Sequence, residues 1–171
     1  VLKEMYKVME NHYGNPSSIH SHGREARTLI EKSRKTIAGL LHTSPAEIFF
    51  TSSGTEADNT AIRCGINDHN ITHAITSHIE HHAVSHTLEA MEKSGIIKLS
   101  LVDIYSKGKV DYDHLETLLK DNARSFVSIM HANNEIGTLS DMNRIGDLCE
   151  AYNAIYHCDT VQTMGHYQHN L

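Results

Sequence analysis

The chain has 171 residues, of which 39% are hydrophobic and 21% charged, with a formal net charge of -6. That is one domain's worth of ordinary globular composition, large enough to bury a core. The acidic balance argues against general nucleic-acid binding, and no apolar stretch approaches the roughly 18 residues of a membrane span.

The N-terminus lacks signal-peptide architecture, and Val1 stands where an initiator methionine is expected, which implies a trimmed start. Three widely spaced cysteines, Cys64, Cys149 and Cys158, form no Cys-x-x-Cys pair. They fit free thiols in a reducing compartment better than a disulfide framework or a zinc ribbon.

Asn15-Pro16-Ser17-Ser18 is the one clear loop signature at the front. Ala26, Leu29, Ile30, Ile37, Leu40 and Leu41 then recur on one face of a long helix. Short β-rich runs follow at Ile48-Phe49-Phe50, His73-Ala74-Ile75-Thr76, Ile97-Lys98-Leu99-Ser100-Leu101, Phe126-Val127-Ser128-Ile129-Met130 and Ala154-Ile155-Tyr156-His157. Between them, Val84, Leu88 and Met91 mark a shorter helix, and Ile145, Leu148, Cys149 and Tyr152 a last one. The alternation predicts an α/β fold, a mostly parallel sheet with helices on both faces. Ligands of such sheets bind outside the carboxyl ends of the strands, which directs attention to the residues after each run.

Thr51-Ser52-Ser53-Gly54-Thr55-Glu56 follows the first run and opens a helix. Small residues there offer free N–H groups and the positive end of a helix dipole to an anion, with Gly54 permitting close approach and the Thr55 hydroxyl adding a bond. The alternative is an ordinary Ser or Thr N-cap. Ser77-His78-Ile79-Glu80-His81-His82-Ala83-Val84 follows the second run. His78, His82 and His86 recur every four residues, as a metal site would need. Alternatively, one imidazole lies against an aromatic cofactor ring, or all are surface residues.

Asn133-Asn134 before Gly137 offers either neutral hydrogen bonds to a ligand or plain turn chemistry. Asp159, after the last run, suits a pyridine nitrogen, which a carboxylate in a poorly solvated cleft keeps protonated. A protonated pyridine is an electron sink, the chemistry of pyridoxal 5'-phosphate (PLP). Gln162 is spaced to reach another ring substituent, and the alternative for Asp159 is a turn cap.

Five stretches, Tyr13–His20, Phe50–Asn59, Glu80–Val84, Met130–Gly137 and His157–Gln162, together resemble the cysteine desulfurases of the class V aminotransferase family, in particular the group that supplies sulfur for iron-sulfur clusters. The resemblance implies the large domain of a fold-type I PLP-dependent transferase, here a partial one over residues 1–171. It implies that Gly54 and Thr55 hold the PLP phosphate, that His81 stacks on the ring and helps move protons, and that Asn134 faces cofactor and substrate. It likewise implies that Asp159 pairs with the pyridine nitrogen and Gln162 with the phenolic oxygen, with no metal.

The family converts L-cysteine to L-alanine and passes the sulfur, as an enzyme persulfide, to an iron-sulfur scaffold or another acceptor protein. Its members are homodimers, which implies a cytoplasmic dimer with no membrane or nucleic-acid partner. No lysine follows Lys120, so the family's Schiff-base lysine, its persulfide cysteine, its carboxylate-binding arginine and its small domain are expected beyond Leu171, as is a stretch before Val1. The 171-residue chain alone is therefore expected to be inactive. The alternatives are a non-catalytic PLP-binding or interaction module, a histidine-rich metal-binding domain, and a related class V enzyme acting on selenocysteine.

Overall fold

The computed structural model describes residues 1–122 and 124–169. They form two compact units, Val1–Phe50 with the described residues from Tyr167, and Thr51–His166.

The first unit is helical. Helix α1, Leu2–Asn11, buries none of its residues, and Leu2, Met5, Tyr6 and Met9 are exposed. Helix α2, Ser21–Leu40, starts at His20, whose Nδ1 accepts the Gly23 N–H at 3.2 Å. Gly23 has to be small, because a Cβ there would lie 2.4 Å from the Ser18 carbonyl oxygen of the Asn15–Ser18 turn. On the expected apolar face Leu41 is buried and Ala26, Leu29, Ile30 and Ile37 are half-buried, with Ala38, outside that set, buried beside Leu41, but Leu40 is 72% exposed. At 100° per residue, Leu40 lies on the far side of the last turn from the Ala38 and Leu41 pair.

A single 3-10 turn, Pro45–Glu47, follows, with Ser44 and Glu47 forming a reciprocal capping box. The β-rich run Ile48-Phe49-Phe50 is not a strand. Its backbone is served by a side chain instead of a ladder: Arg34 donates to the Ile48 carbonyl and lays its guanidinium 4.9 Å from the Phe50 ring centre.

The second unit carries helix α3 (Gly54–Asp68), strand β1 (His73–Ser77), helix α4 (His82–Lys93) and strand β2 (Lys98–Val102). A short antiparallel hairpin, β3 (Ile104–Tyr105) and β4 (Lys109–Val110), leads to helix α5 (Tyr112–Asp121). Strand β5 (Phe126–Ser128), helix α6 (Met142–Ala151) and strand β6 (Ile155–His157) complete it. The four longer-range strands pair in parallel in the order β2-β1-β5-β6. The run expected to extend to Met130 leaves the ladder at Ser128, where the chain turns toward the loop that follows.

Strand β1 is buried throughout, as a strand covered on both faces should be. Ala74 and its partner Phe126 face Ile62, Ile66, Val84 and Leu88 of α3 and α4. Ile75 and its partner Val127 face Leu115, Leu119, Ile145 and Cys149 of α5 and α6 on the opposite side. The expected parallel sheet with helices on both faces is thus present. One histidine belongs to this core: His73 bridges three strands' worth of structure through Ser125 Oγ at 2.8 Å and Ser100 Oγ at 2.9 Å. Burial, reinforced by Lys98, holds its pKa below the usual imidazole value.

Phe126 of β5 ties the sheet to α3 and to its neighbouring strand β6. Phe126 fills the space beside Gly65, where a Cβ would come within 2.7 Å of the ring, and it stacks on His157 with ring centres 6.0 Å apart. Truncating Phe126 to alanine therefore leaves a cavity that its strand cannot close. Phe126→Ala is expected to lower unfolding free energy by about 3–5 kcal/mol in a denaturant titration, and a loss below about 1 kcal/mol would contradict this packing account.

Candidate functional site

The parallel register sets the geometry of the site. Ser77 of β1 pairs with Val102 of β2, and Thr76 with Ser128 of β5, which pairs in turn with His157 of β6. The turns after β1, β5 and β6 consequently leave the sheet at the same edge. The N-terminus of α3 joins them there, and the four segments line a cleft of about 250 Å³ formed by Gly54, Thr55, Asp58, His81, Met130, Asn134, Asp159, Val161 and Gln162. All six residues singled out in the sequence, Gly54, Thr55, His81, Asn134, Asp159 and Gln162, are in this one lining. A larger groove of about 830 Å³ runs along α2, but it is bounded by that helix's own Arg24, Arg27, Lys32 and Lys35, a solvated charged face.

Helix α3 begins with Ser53 as N-cap, its hydroxyl accepting the Glu56 N–H at 3.3 Å. Glu56 folds back so that one carboxylate oxygen accepts both the hydroxyl and the N–H of Ser52 at 2.6 Å. These bonds, the hydroxyl first, hold the Glu56 carboxyl below its usual range. The cap reading of this segment is therefore correct. The Gly54 and Thr55 N–H groups stand at the first two helical positions, where no intrahelical acceptor exists. A Cβ on Gly54 would sit 3.0 Å from a Val161 methyl, so a side chain there would crowd the turn after β6. Asn59, one turn on, donates to the Thr55 carbonyl at 2.9 Å and accepts from Thr87 at 2.8 Å, tying α3 to α4.

His81 is the N-cap of α4, its Nδ1 accepting the Ala83 N–H at 3.1 Å. In the neutral ring the proton then resides on Nε2. His78 precedes the helix, while the His82 and His86 rings stack 4.7 Å apart. Among the described residues no group of three or more His, Cys, Asp or Glu side chains could hold a metal ion.

The two asparagines differ in what they touch. Asn133 is buried and makes the turn: its Oδ1 accepts from Glu135 and Ile136 at 2.8 and 2.9 Å, and its Nδ2 donates to the Ile79 carbonyl at 2.7 Å. Gly137, with φ at +69°, closes that turn. Asn134 is exposed and lines the cleft. Asp159 both caps its turn and lines the cleft. It is buried, its Oδ1 accepts the Val161 N–H at 2.9 Å as a turn cap, and the carboxylate still lines the cleft.

Two further carboxyls were quoted within the sequence motifs without a role. Asp58 is buried one turn after Thr55, with Oδ1 3.5 Å from His157 Nε2, while His157 Nδ1 meets Ser128 Oγ at 2.9 Å. Glu80 is buried at the end of the β1 turn, and burial pushes its carboxyl up to about 7. The signal for both was position: each lies at the sheet edge beside a singled-out residue. Burial also pushes the Cys149 thiol up to about 12 and that of Cys158 up to about 11, so neither is a thiolate near neutrality.

An open parallel sheet with a polar cleft at its carboxyl edge, beside a helix N-terminus, defines the class of α/β proteins that hold phosphorylated cofactors there. The family described as Aminotransferase class-V matches residues 1–171, and the chain belongs to it. Class V aminotransferases and cysteine desulfurases are PLP-dependent enzymes. The chain is 39% identical over 169 residues to the cysteine desulfurase IscS of Clostridium botulinum, covering 97% of this chain and 42% of that protein. It is 41% identical over 176 residues to the cysteine desulfurase IscS of Dictyoglomus turgidum, covering 99% and 44%. Of solved structures, a NifS-like protein superposes with a TM-score of 0.91 at 36% identity, over 99% of this chain and 47% of that one. SspA in complex with cysteine superposes with a TM-score of 0.90 at 27% identity, over 99% and 49%. The chain thus spans under half the length of the relatives it matches, and its fold is that of the fold-type I cysteine desulfurases.

The division of labour at the β5 loop is directly testable. Asn133→Ala removes the turn's acceptor and its bond to Ile79, and is expected to cost about 2–3 kcal/mol in a thermal or denaturant melt. Asn134→Ala should stay within about 0.5 kcal/mol of the parent. Equal losses for the two variants would contradict the assignment.

Proposed function

We propose that this chain is the cofactor-holding portion of a PLP-dependent cysteine desulfurase, an enzyme that converts L-cysteine to L-alanine and passes the sulfur on as an enzyme persulfide. The convergence of Gly54, Thr55, His81, Asn134, Asp159 and Gln162 on one cleft carries this reading.

The residues present fit the cofactor. An anionic phosphate needs unsatisfied N–H groups at a helix start with room for close approach, and Gly54 and Thr55 supply both. A pyridine nitrogen that must stay protonated needs a poorly solvated carboxylate, and Asp159 is buried. When bound, PLP supplies an electron sink for bonds at the α-carbon of an amino acid.

In this reading Gly54 and Thr55 hold the phosphate, with the Thr55 hydroxyl as an added donor. Asp159 keeps the ring nitrogen protonated and Gln162 donates to the phenolic oxygen. His81 lies against the ring, and because its Nδ1 is occupied by the Ala83 N–H, Nε2 is the atom that moves a proton. Asn134 orients cofactor and substrate without adding charge. Neither Cys149 nor Cys158 is the sulfur acceptor, since burial keeps both protonated. The reading extends to a cytoplasmic homodimer that delivers sulfur to an iron-sulfur scaffold or another acceptor protein. It is supported by the family resemblance of the motifs.

The test is PLP binding and alanine release from L-cysteine by the complete protein and its Asp159→Asn variant. Loss of a buried charge-assisted bond, about 2–3 kcal/mol, predicts a roughly hundredfold weaker PLP affinity and a matching fall in alanine yield. A wild-type protein that binds no PLP, or a variant that binds it equally well, overturns the proposal.

A further inference from the structure

Glu80 has no part in the roles above, yet its surroundings are unusual. It sits between β1 and His81, with 8% of its surface exposed. Its Oε1 accepts the Ser77 hydroxyl at 2.8 Å and the Met130 N–H at 3.1 Å. Its Oε2 is buried with no hydrogen-bond partner. The first of these bonds is local, but the second crosses to the end of β5, where Met130 lines the cleft. The Asn133 bond to the Ile79 carbonyl is a parallel tie between the same two segments.

The groups acting on Glu80 come from each element packed around it. Asp58 approaches from α3 and Asp159 from the turn after β6, while Tyr156 and Cys158 feel its charge from β6 and its end. His157 is engaged with Asp58 at 3.5 Å rather than with Glu80. Three carboxyls, Asp58, Glu80 and Asp159, therefore share one buried corner. Of these, Asp58 has a histidine beside it, and Asp159 lines the cleft where a cationic ring nitrogen would pair with it. An ionised Glu80 would instead leave half its charge on a buried oxygen that no protein donor meets, with Asp159 and Asp58 adding like charge. Protonation at Oε2 replaces a buried charge with the smaller cost of one unpaired hydroxyl, and keeps both bonds at Oε1, since a carboxylic acid still accepts at its carbonyl oxygen.

We propose that Glu80 is a positioning residue: as a neutral carboxylic acid it clamps the end of β5 to the turn bearing His81, and it leaves Asp159 the anionic carboxylate facing the cofactor. The part concerning Asp159 and cofactor rests on the PLP reading above, whereas the protonation state and the clamp do not. Burial, opposed by the Met130 and Ser77 bonds and reinforced by Asp159 and then Asp58, agrees with it by pushing the carboxyl from 4.5 up to about 7.

The sign of the linkage follows. In the unfolded chain Glu80 loses its proton near its ordinary value, and in the folded chain only near 7. Its contribution to stability is full below the unfolded value and is lost as pH rises through the folded one. Glu80→Gln keeps an acceptor at the Oε1 position and cannot ionise, so it should escape that loss.

The experiment compares the complete wild-type protein with Glu80→Gln and Glu80→Ala. In the PLP-free protein, infrared titration should show a protonated-carboxyl carbonyl band that vanishes with a midpoint near 7 and is missing from Glu80→Gln. Between about pH 4.5 and 7, the wild-type folded-to-unfolded ratio should fall relative to Glu80→Gln by on the order of a hundredfold. PLP affinity should drop about tenfold in Glu80→Ala, as one buried hydrogen bond predicts, and return in Glu80→Gln. Absence of the band at pH 6, its persistence in Glu80→Gln, or parallel stability profiles for the two proteins overturns the neutral clamp. Failure of Glu80→Gln to restore the affinity lost in Glu80→Ala overturns its positioning role. If wild-type protein binds no PLP, the proposed function and the Asp159 part fall together, while the infrared and unfolding titrations still decide the clamp.

Discussion

Parallel pairing of β1, β5 and β6 is the constraint on which the rest depends. Because Thr76, Ser128 and His157 lie side by side in register, the chain leaves all three strands at one edge, and the polar residues of three turns distant in sequence meet there. A parallel strand cannot be reached by a tight hairpin, so each return demands a helix, and those helices cover both faces of the sheet. The N-terminus of α3, which precedes β1, lies at the same cleft. One rule of chain connection thus supplies the burial and the cluster of side chains from the three turns.

Within that frame the cleft is held from behind by residues that do not face a ligand. Asn133 spends its Oδ1 on the β5 loop and its Nδ2 on the Ile79 carbonyl of the β1 turn, while Asn134 lines the cleft. Asn59 links α3 to α4, so the helix start bearing Gly54 and the cap bearing His81 keep a common frame. Glu80 bridges the β1 turn to Met130. Each makes bonds that alternative residues of similar polarity could make only with the same reach, which is why neighbouring positions in one motif have such different duties.

The sheet and its covering helices were legible in the sequence where burial is two-sided or periodic. His73 to Thr76 reads as a strand because nearly every residue is apolar or small, and Val84, Leu88 and Met91 read as a helix because their spacing is helical; all are buried. Ile48-Phe49-Phe50 carries the same β-rich composition, yet propensity alone does not furnish a ladder partner, and Arg34 takes its place. Helices α1 and α5 and the β3–β4 hairpin went unread. In α1 no residue is buried, and the hairpin strands are two residues each, too short for alternation to show.

The site was legible as a set of positions, since strand-end polar residues are where such sheets bind ligands. The apportioning was not. Whether Asn133 or Asn134 makes the turn, and whether Asp159 caps or lines, depends on side-chain direction, and the protonation of Glu80 depends on burial among carboxyls contributed by α3 and by the turn after β6. The most direct measurement of the central claim is a crystal structure of the complete protein grown with PLP. The account predicts the phosphate on the Gly54 and Thr55 N–H groups and the pyridine nitrogen within hydrogen-bond distance of the Asp159 carboxylate. A cofactor bound elsewhere, or one whose nitrogen lies away from Asp159, would contradict it.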